Sequence, residues 1–200
     1  MNKVYEQALS VRKPAHPVAE FLLGRWSPRA MTGESITDEE LMTLFDAARF
    51  APSSFNEQPW RFIYAKRDTP EWNKLFALMG EFNQKWTKNA AVLMVIVSHN
   101  TFKKNDKPNM NHSFDTGSAW MALALQAAHM GLVAHGMAGF DAEKAKQDLG
   151  VPDGYSVEAM CAVGHLADKS TLPEDMQKQE SPSDRNDIES FAMHGVWSRV

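Results

Sequence analysis

Four groups of residues in this chain of 200 have types and spacings that could do chemistry. Arg25, Ser27 and Arg29 alternate along one short stretch. Residues two apart on an extended segment project to the same side. Guanidinium forks and a hydroxyl can converge there on an anion such as a phosphate, or the arginines can form a solvated surface pair. Residues 52–60 read Pro-Ser-Ser-Phe-Asn-Glu-Gln-Pro-Trp. Amide side chains both donate and accept, which suits the mixed edge of a heterocycle such as a flavin. The flanking prolines would make that loop rigid, and a plain helix-to-strand turn is the other reading. Residues 135–141 read His-Gly-Met-Ala-Gly-Phe-Asp, and Arg185 sits alone in a polar stretch near the end of the chain.

Other chemistries are excluded by pattern. No two of the eleven glycines are spaced Gly-x-Gly, so the dinucleotide fingerprint is missing, and there is no Gly-x4-Gly-Lys phosphate loop. No His-Glu-x-x-His is present, the seven histidines are scattered, and no metal site is expected. No Gly-x-Ser-x-Gly elbow occurs. Ser10-x-x-Lys13 is too short a pattern to carry weight. Cys161, the only cysteine, lies in an apolar strand and reads as an inert core thiol. His129 and His135 lie in apolar stretches and read as core histidines with their hydrogen bonds satisfied.

The elements that must position these groups can be read from periodicity and caps. Residues 18–25 form a short helix. Thr37 and Glu40 make a capping box, opening a helix to about Phe50 with Leu41, Leu44, Phe45 and Ala48 on one face. Residues 60–65 form a strand. Residues 71–88 are helical with a break near Gly80. Residues 90–97 are an unbroken apolar run, a strand buried on both faces. Asp115 caps a central helix of residues 116–130, ended by Gly131 in the left-handed conformation. Strands at 132–137 and 157–166 flank a short helix capped by Asp141. The class is α+β (α/β layered), a central sheet flanked by helices. Residues 1–17 read as an irregular lead-in and 168–200 as an extended arm whose apolar end must dock on something, such as a second subunit.

Composition narrows the partners. Lys plus Arg is 21 and Asp plus Glu is 25, giving a formal net charge of −4, which argues against a nucleic-acid binder. The start of the chain is too polar for a signal peptide. Residues 117–140 are interrupted by Gln126, His129 and His135, so no membrane span is expected. A single cysteine fits a reducing, cytoplasmic location.

From about residue 18 onward the chain resembles the nitroreductase family of flavin enzymes. The resemblance is carried by Arg25-Trp26-Ser27 and by Ala51-Pro52-Ser53-Ser54-Phe55-Asn56-Glu57-Gln58-Pro59-Trp60. The Ala-rich helix, the Gly139-Phe140-Asp141 turn and the late Arg185 follow in the family's order. The resemblance implies the nitroreductase-like fold: a central mixed sheet, with the C-terminal arm exchanged in a homodimer that binds FMN at its interface. Arg25, Ser27 and Arg185 would hold the FMN phosphate, with Trp26 in the same motif. Arg29 would stand near N1 and O2 of the ring. Pro52, Ser53, Ser54, Asn56 and Gln58 would line the cofactor. Met137, Ala138 and Gly139 would pass the ring, one backbone N–H facing N5. It also implies transfer of hydride from NADPH or NADH through flavin N5 to a small acceptor, a nitroaromatic or quinone, in two half-reactions at one place. No side-chain catalyst is expected. A dehydrogenase or dehalogenase of the same fold, or a flavin-binding protein without turnover, is the alternative. The chain departs from the family pattern at Ala138 where an acid is common, at Arg29 for lysine, at Trp26 for Arg or His, and at Ser183 for a second basic residue. These departures bear on nicotinamide preference and substrate more than on FMN.

Overall fold

The computed structural model describes residues 2–198; Met1 of the lead-in and Arg199 and Val200 of the arm lie outside the described residues. The chain opens with helices α1 (Lys3–Val11), α2 (Glu20–Gly24) and α3 (Asp38–Arg49). Strand β1 (Trp60–Lys66) leads through α4 (Pro70–Phe76) and α5 (Glu81–Thr87) to β2 (Val92–His99). The central helix α6 (His112–His129) is followed by β3 (Leu132–Met137), α7 (Ala142–Asp148), β4 (Tyr155–His165) and a single turn, α8 (Glu174–Gln177).

The expected α+β class is observed. The four strands run in the order β1-β2-β4-β3. All three pairings are antiparallel, so within one chain the sheet is not mixed. A parallel neighbour would need a further crossover, and the arm after β4 does not return to the sheet. Helices α3 and α6 cover one face through Leu41, Leu44, Ala119, Leu123 and Ala127. Helices α4, α5, α7 and α8 cover the other through Leu75, Trp86, Ala145 and Met176. Strand β2, between two neighbours in plane and covered on both faces, is buried from Val92 to Ser98, as its unbroken apolar run requires.

Local signals fix the element ends. The Thr37–Glu40 capping box is formed, with Glu40 N–H donating to Thr37 Oγ1 (3.1 Å) and Thr37 N–H to Glu40 Oε2 (2.8 Å). The Glu40 carboxylate accepts from both the Thr37 N–H and the Thr37 hydroxyl (2.9 Å), which favours the ionised form and holds its pKa below the usual value. Gly80 stands at the start of α5, and Gly131 closes α6 at φ 79°. Asp141 accepts from Lys144 N–H (2.9 Å) at the start of α7.

Three readings of the sequence need correction. The lead-in is not irregular throughout: α1 occupies its first half, its Val4, Tyr5 and Ala8 packing with Trp26 and Ala128. Asp115 is not the cap of α6, which starts at His112; Asp115 lies in the first turn, 5% exposed, and its carboxylate faces a loop instead. His129, at the end of α6, is exposed rather than core. Cys161 is fully buried, and desolvation pushes its thiol well above the usual range, so it is inert at neutral pH. The arm divides in two. Leu172, Met176 and Pro182 dock on their own chain. Beyond them Ile188, Phe191, Val196 and Trp197 are exposed, the last two by 77% and 84%. No helix among the described residues is long and apolar enough to cross a membrane.

Candidate active site

The segment Arg25–Ala30 is extended and alternates as its sequence requires. Trp26, Pro28 and Ala30 turn inward, while Arg25, Ser27 and Arg29 are half-exposed on the other side. Long-range hydrogen bonds pin its backbone and that of the residues just after it. Ala167 N–H donates to the Ala30 carbonyl (3.0 Å), and Thr32 N–H to the His165 carbonyl (3.0 Å). Glu180, reaching back from the arm, accepts from the N–H groups of Arg29 (2.6 Å) and Ala30 (2.9 Å) with one oxygen. His135 Nδ1 donates to the Pro28 carbonyl (3.0 Å) and its ring packs on Trp86 (4.6 Å between centroids). Burial, and secondarily the Arg29 charge, lower the His135 pKa, so the ring stays neutral. His135 is therefore a half-buried, hydrogen-bonded histidine that anchors the arginine segment to β3.

Beside this segment lies a cleft of about 450 Å³. Arg25 and Ser27 form one end. Its floor is the α6-facing side of the sheet, Ile96, Ala159 and Gly136, continued by Met137 and Ala138. Trp120, Met121 and Ala124 of α6 form the wall. Gly136 keeps the floor open beside α6: a Cβ there would stand 3.1 Å from the Trp120 ring. At the turn after β3 the Gly139 carbonyl accepts from Gly80 N–H (3.1 Å) and Asn83 Nδ2 (3.0 Å), which fixes that peptide's orientation. Arg29 lies over the Phe82 ring (5.7 Å), on the helix that carries Asn83.

The electrostatics of the cleft's end are unbalanced. Arg25 donates to Ser27 Oγ (3.1 Å), but its Nε is buried with no partner. Burial and the charge of Arg185 lower the Arg25 pKa. Among the described residues, the Arg185 guanidinium donates only to the carbonyls of Ser183 and Asp184 and to Ser183 Oγ. Among the described residues, neither arginine has a carboxylate within ion-pair distance. Two like charges held together beside an orphaned donor call for an anion with several acceptor oxygens. A phosphate ester with a flat ring beyond it fits this set of groups.

The loop after α3 is built differently. Phe55 (φ 52°), Asn56 (φ 57°) and Gln58 (φ 52°) all lie in the left-handed region, three residues other than glycine within four positions. Such conformations cost about 1–3 kcal/mol each unless the surroundings impose them. Here Ser54 N–H donates to Asp115 Oδ2 (2.9 Å) and Gln58 N–H to Ser53 Oγ (3.0 Å). Lys103 N–H donates to Glu57 Oε1 (3.0 Å), and Phe55 packs edge-on against Phe102 (5.8 Å). The result presents Asn56 and Phe55 outward, Phe55 by 82%. Pro52, Ser53 and Ser54 line a second cleft of about 330 Å³ with Asn111, Phe114, Asp115 and Ser118 of α6 and the turn before it.

Arg25, Ser27, Met137 and Ala138 thus meet in one cleft, and Arg185 stands close enough to Arg25 to shift its titration. Pro52, Ser53 and Ser54 line another, on the stretch of the same helix just before it, with no lining residue in common. Asn56 and Gln58 line neither. Trp26 is a correction to the expected site: its side chain is 6% exposed and packs with α1, away from the cleft. Alternation along an extended segment already required this, since Trp26 lies between Arg25 and Ser27. The sequence marks Asp115 only as a helix cap, and it does not mark Glu180 or Trp120 at all. Asp115 and Glu180 act across long sequence separations, and no local pattern points to these roles.

A model of the nitroreductase family matches residues 22–74 and 66–165. A solved structure described as an oxidoreductase containing FMN superposes with a TM-score of 0.91 at 43% identity, over 94% of this chain and 97% of that one. A Streptomyces griseus protein named among the NADH dehydrogenase/NAD(P)H nitroreductases is 25% identical over 178 residues, 78% of this chain and 90% of its own. A 15.4 kDa Mycolicibacterium smegmatis protein from the ask 5′ region is 42% identical over 84 residues, and the match spans 42% of this chain and 56% of that protein.

Proposed function

This chain belongs to the nitroreductase family, and from that premise we propose that it is an FMN-dependent oxidoreductase drawing electrons from NADPH or NADH. The observation that carries this is the orphaned Arg25 Nε beside Arg185, at the end of a cleft floored by Ile96, Ala159 and Gly136. Bound FMN supplies two-electron chemistry between the nicotinamide and an acceptor. The chain's own residues bind and orient. Arg25, Ser27 and Arg185 hold the phosphate. Met137, Ala138 and the fixed Gly139 peptide would help hold the ring in the cleft. Arg29 puts a cation nearby.

The loop of Ser53, Ser54, Asn56 and Gln58 serves the cleft of a second copy in a homodimer. Support comes from its outward strained conformation and from the separation of the two clefts within one chain. The exposed Ile188, Phe191, Val196 and Trp197 supply the surface by which the arm clasps that copy. The nicotinamide and a nitroaromatic or quinone acceptor then occupy the open face of the cleft in turn. The mostly apolar lining, with no titratable side chain other than Arg25, supports stacking rather than side-chain acid–base catalysis. The chain acts as one domain with an arm, and its lone buried cysteine suits the cytoplasm.

The test is an absorbance spectrum of protein loaded with FMN and desalted, repeated after anaerobic NADPH and NADH. A flavin band that survives desalting, bleaches with nicotinamide and returns with menadione or nitrofurazone is expected. A band that never bleaches leaves a binding role, and no band overturns the cofactor. Sedimentation of the same sample should give twice the 22.5 kDa chain mass.

A further inference from the structure

We propose that Arg12 is a positioning residue of the phosphate cradle, locking the segments that carry Arg25 and Arg185 at the spacing a phosphate monoester requires. The proposal rests on the FMN reading above and concerns a residue outside the motifs that carry the family resemblance. Arg12 follows α1 directly and is 7% exposed. Its guanidinium joins three carbonyls from two distant parts of the chain. Nη1 donates to Leu23 O (2.6 Å) and Arg25 O (2.5 Å), and Nε donates to Ser183 O (3.2 Å). Leu23 and Arg25 bracket the start of the arginine segment. Ser183 lies two residues before Arg185 and is itself the acceptor of the Arg185 side chain (3.0 Å). One fork thus sets the distance between the two arms of the cradle.

The surroundings hold Arg12 there. Helix α1 packs so closely on the end of α2 that a Cβ on Gly24 would come within 2.5 Å of the Tyr5 ring. Glycine is required at that contact, and it fixes where α1 delivers Arg12. The arrangement is electrostatically unfavourable while the cradle lacks an anion. Burial, then the charges of Arg185 and Arg25, lower the Arg12 pKa to about 10, and only Asp184 acts in the other direction. Among the described residues Arg12 forms no ion pair with a carboxylate. Three guanidiniums gathered without such partners gain their compensation from a dianionic phosphate.

Riboflavin, which has the ring without the phosphate, separates this role from general support of the fold. FMN and riboflavin would each be titrated by flavin fluorescence against the wild-type protein, Arg12→Ala and Arg12→Lys. Arg12→Ala should weaken FMN about tenfold or more, the loss of one charge-assisted contact's worth of geometry, and leave riboflavin within about twofold. Arg12→Lys keeps the charge but cannot bridge three carbonyls. It should recover only part of the FMN affinity, again with riboflavin unchanged, and it decides the matter alone if Arg12→Ala does not fold. An equal loss of both flavins in both variants means a structural role and overturns the proposal. Unchanged FMN binding in Arg12→Ala, or full recovery in Arg12→Lys, also overturns it. If the wild-type protein itself prefers FMN over riboflavin by nothing measurable, the phosphate reading of Arg25 and Arg185 has failed instead.

Discussion

The cradle around Arg25 and the loop around Asn56 carry the two strongest motifs of the chain, and they are held in opposite ways. The cradle is tied by long-range hydrogen bonds to β3, to the end of β4, to α1 and to the arm, and it faces a cleft of its own chain. The loop is tied by its own Ser53–Gln58 hydrogen bond, by one carboxylate from α6 and by Phe102 and Lys103, and it presents Phe55 and Asn56 outward. A charged group needs a preorganised, partly dry setting to act strongly on a phosphate. A loop that completes a neighbour's cleft needs only a fixed shape, and three left-handed residues provide one. On the proposed FMN reading, the cradle would act through charge on the phosphate and the loop through shape on the ring.

The largest effect should come from the cradle. Arg25→Ala combined with Arg185→Ala removes two charge-assisted contacts of about 1.5–3 kcal/mol each, so FMN should bind roughly a hundred- to ten-thousandfold more weakly. The melting temperature of the apo protein should hold or rise, because two like charges part. Tight FMN in the double variant, by equilibrium dialysis, would break the assignment. The next effect tests the loop. Asp115→Ala leaves the Ser54 N–H without its acceptor, at a cost of about 1 kcal/mol or more. FMN and riboflavin should weaken together by roughly fivefold. A loss confined to FMN would show that the loop, too, reads the phosphate.

The smallest effect concerns pH. His135 is held neutral by burial, its folded pKa lying below its ordinary value. Below about pH 6.5 the unfolded chain takes up a proton at this site that the folded chain does not. Its contribution to stability is therefore present above that pH and declines as pH falls toward the folded value, by at most about 1.4 kcal/mol per pH unit. Urea midpoints measured from pH 7.5 downward should show this decline in the wild-type protein and a shallower one in His135→Asn. Identical profiles would mean that the Pro28 contact tolerates the charged ring.

Much of this was legible from local signals because those signals are physically local. The Thr37–Glu40 box, the Gly131 and Asp141 helix ends and the apolar run of β2 each follow from a few neighbouring residues. The alternation of Arg25, Ser27 and Arg29 also needed only an extended backbone, and it should have sent Trp26 inward from the start. Asp115 was misread because an acid in the first turn of a helix looks the same whether it caps that helix or another segment's N–H. The helix within the lead-in was masked by the prolines that follow it.

The layers, most element ends and the arginine, serine and amide residues proposed to meet a cofactor are written in the sequence, because side-chain periodicity and capping are set by neighbours in the chain. Only the tertiary structure decided which of those groups share a cleft, that the sheet is wholly antiparallel, and that Arg12 and Glu180 brace the arginine segment. Those contacts join residues more than a hundred positions apart in sequence, as in Arg12 to Ser183 and Arg29 to Glu180. Their energy comes from burial and hydrogen-bond geometry that exist only after the chain has closed on itself.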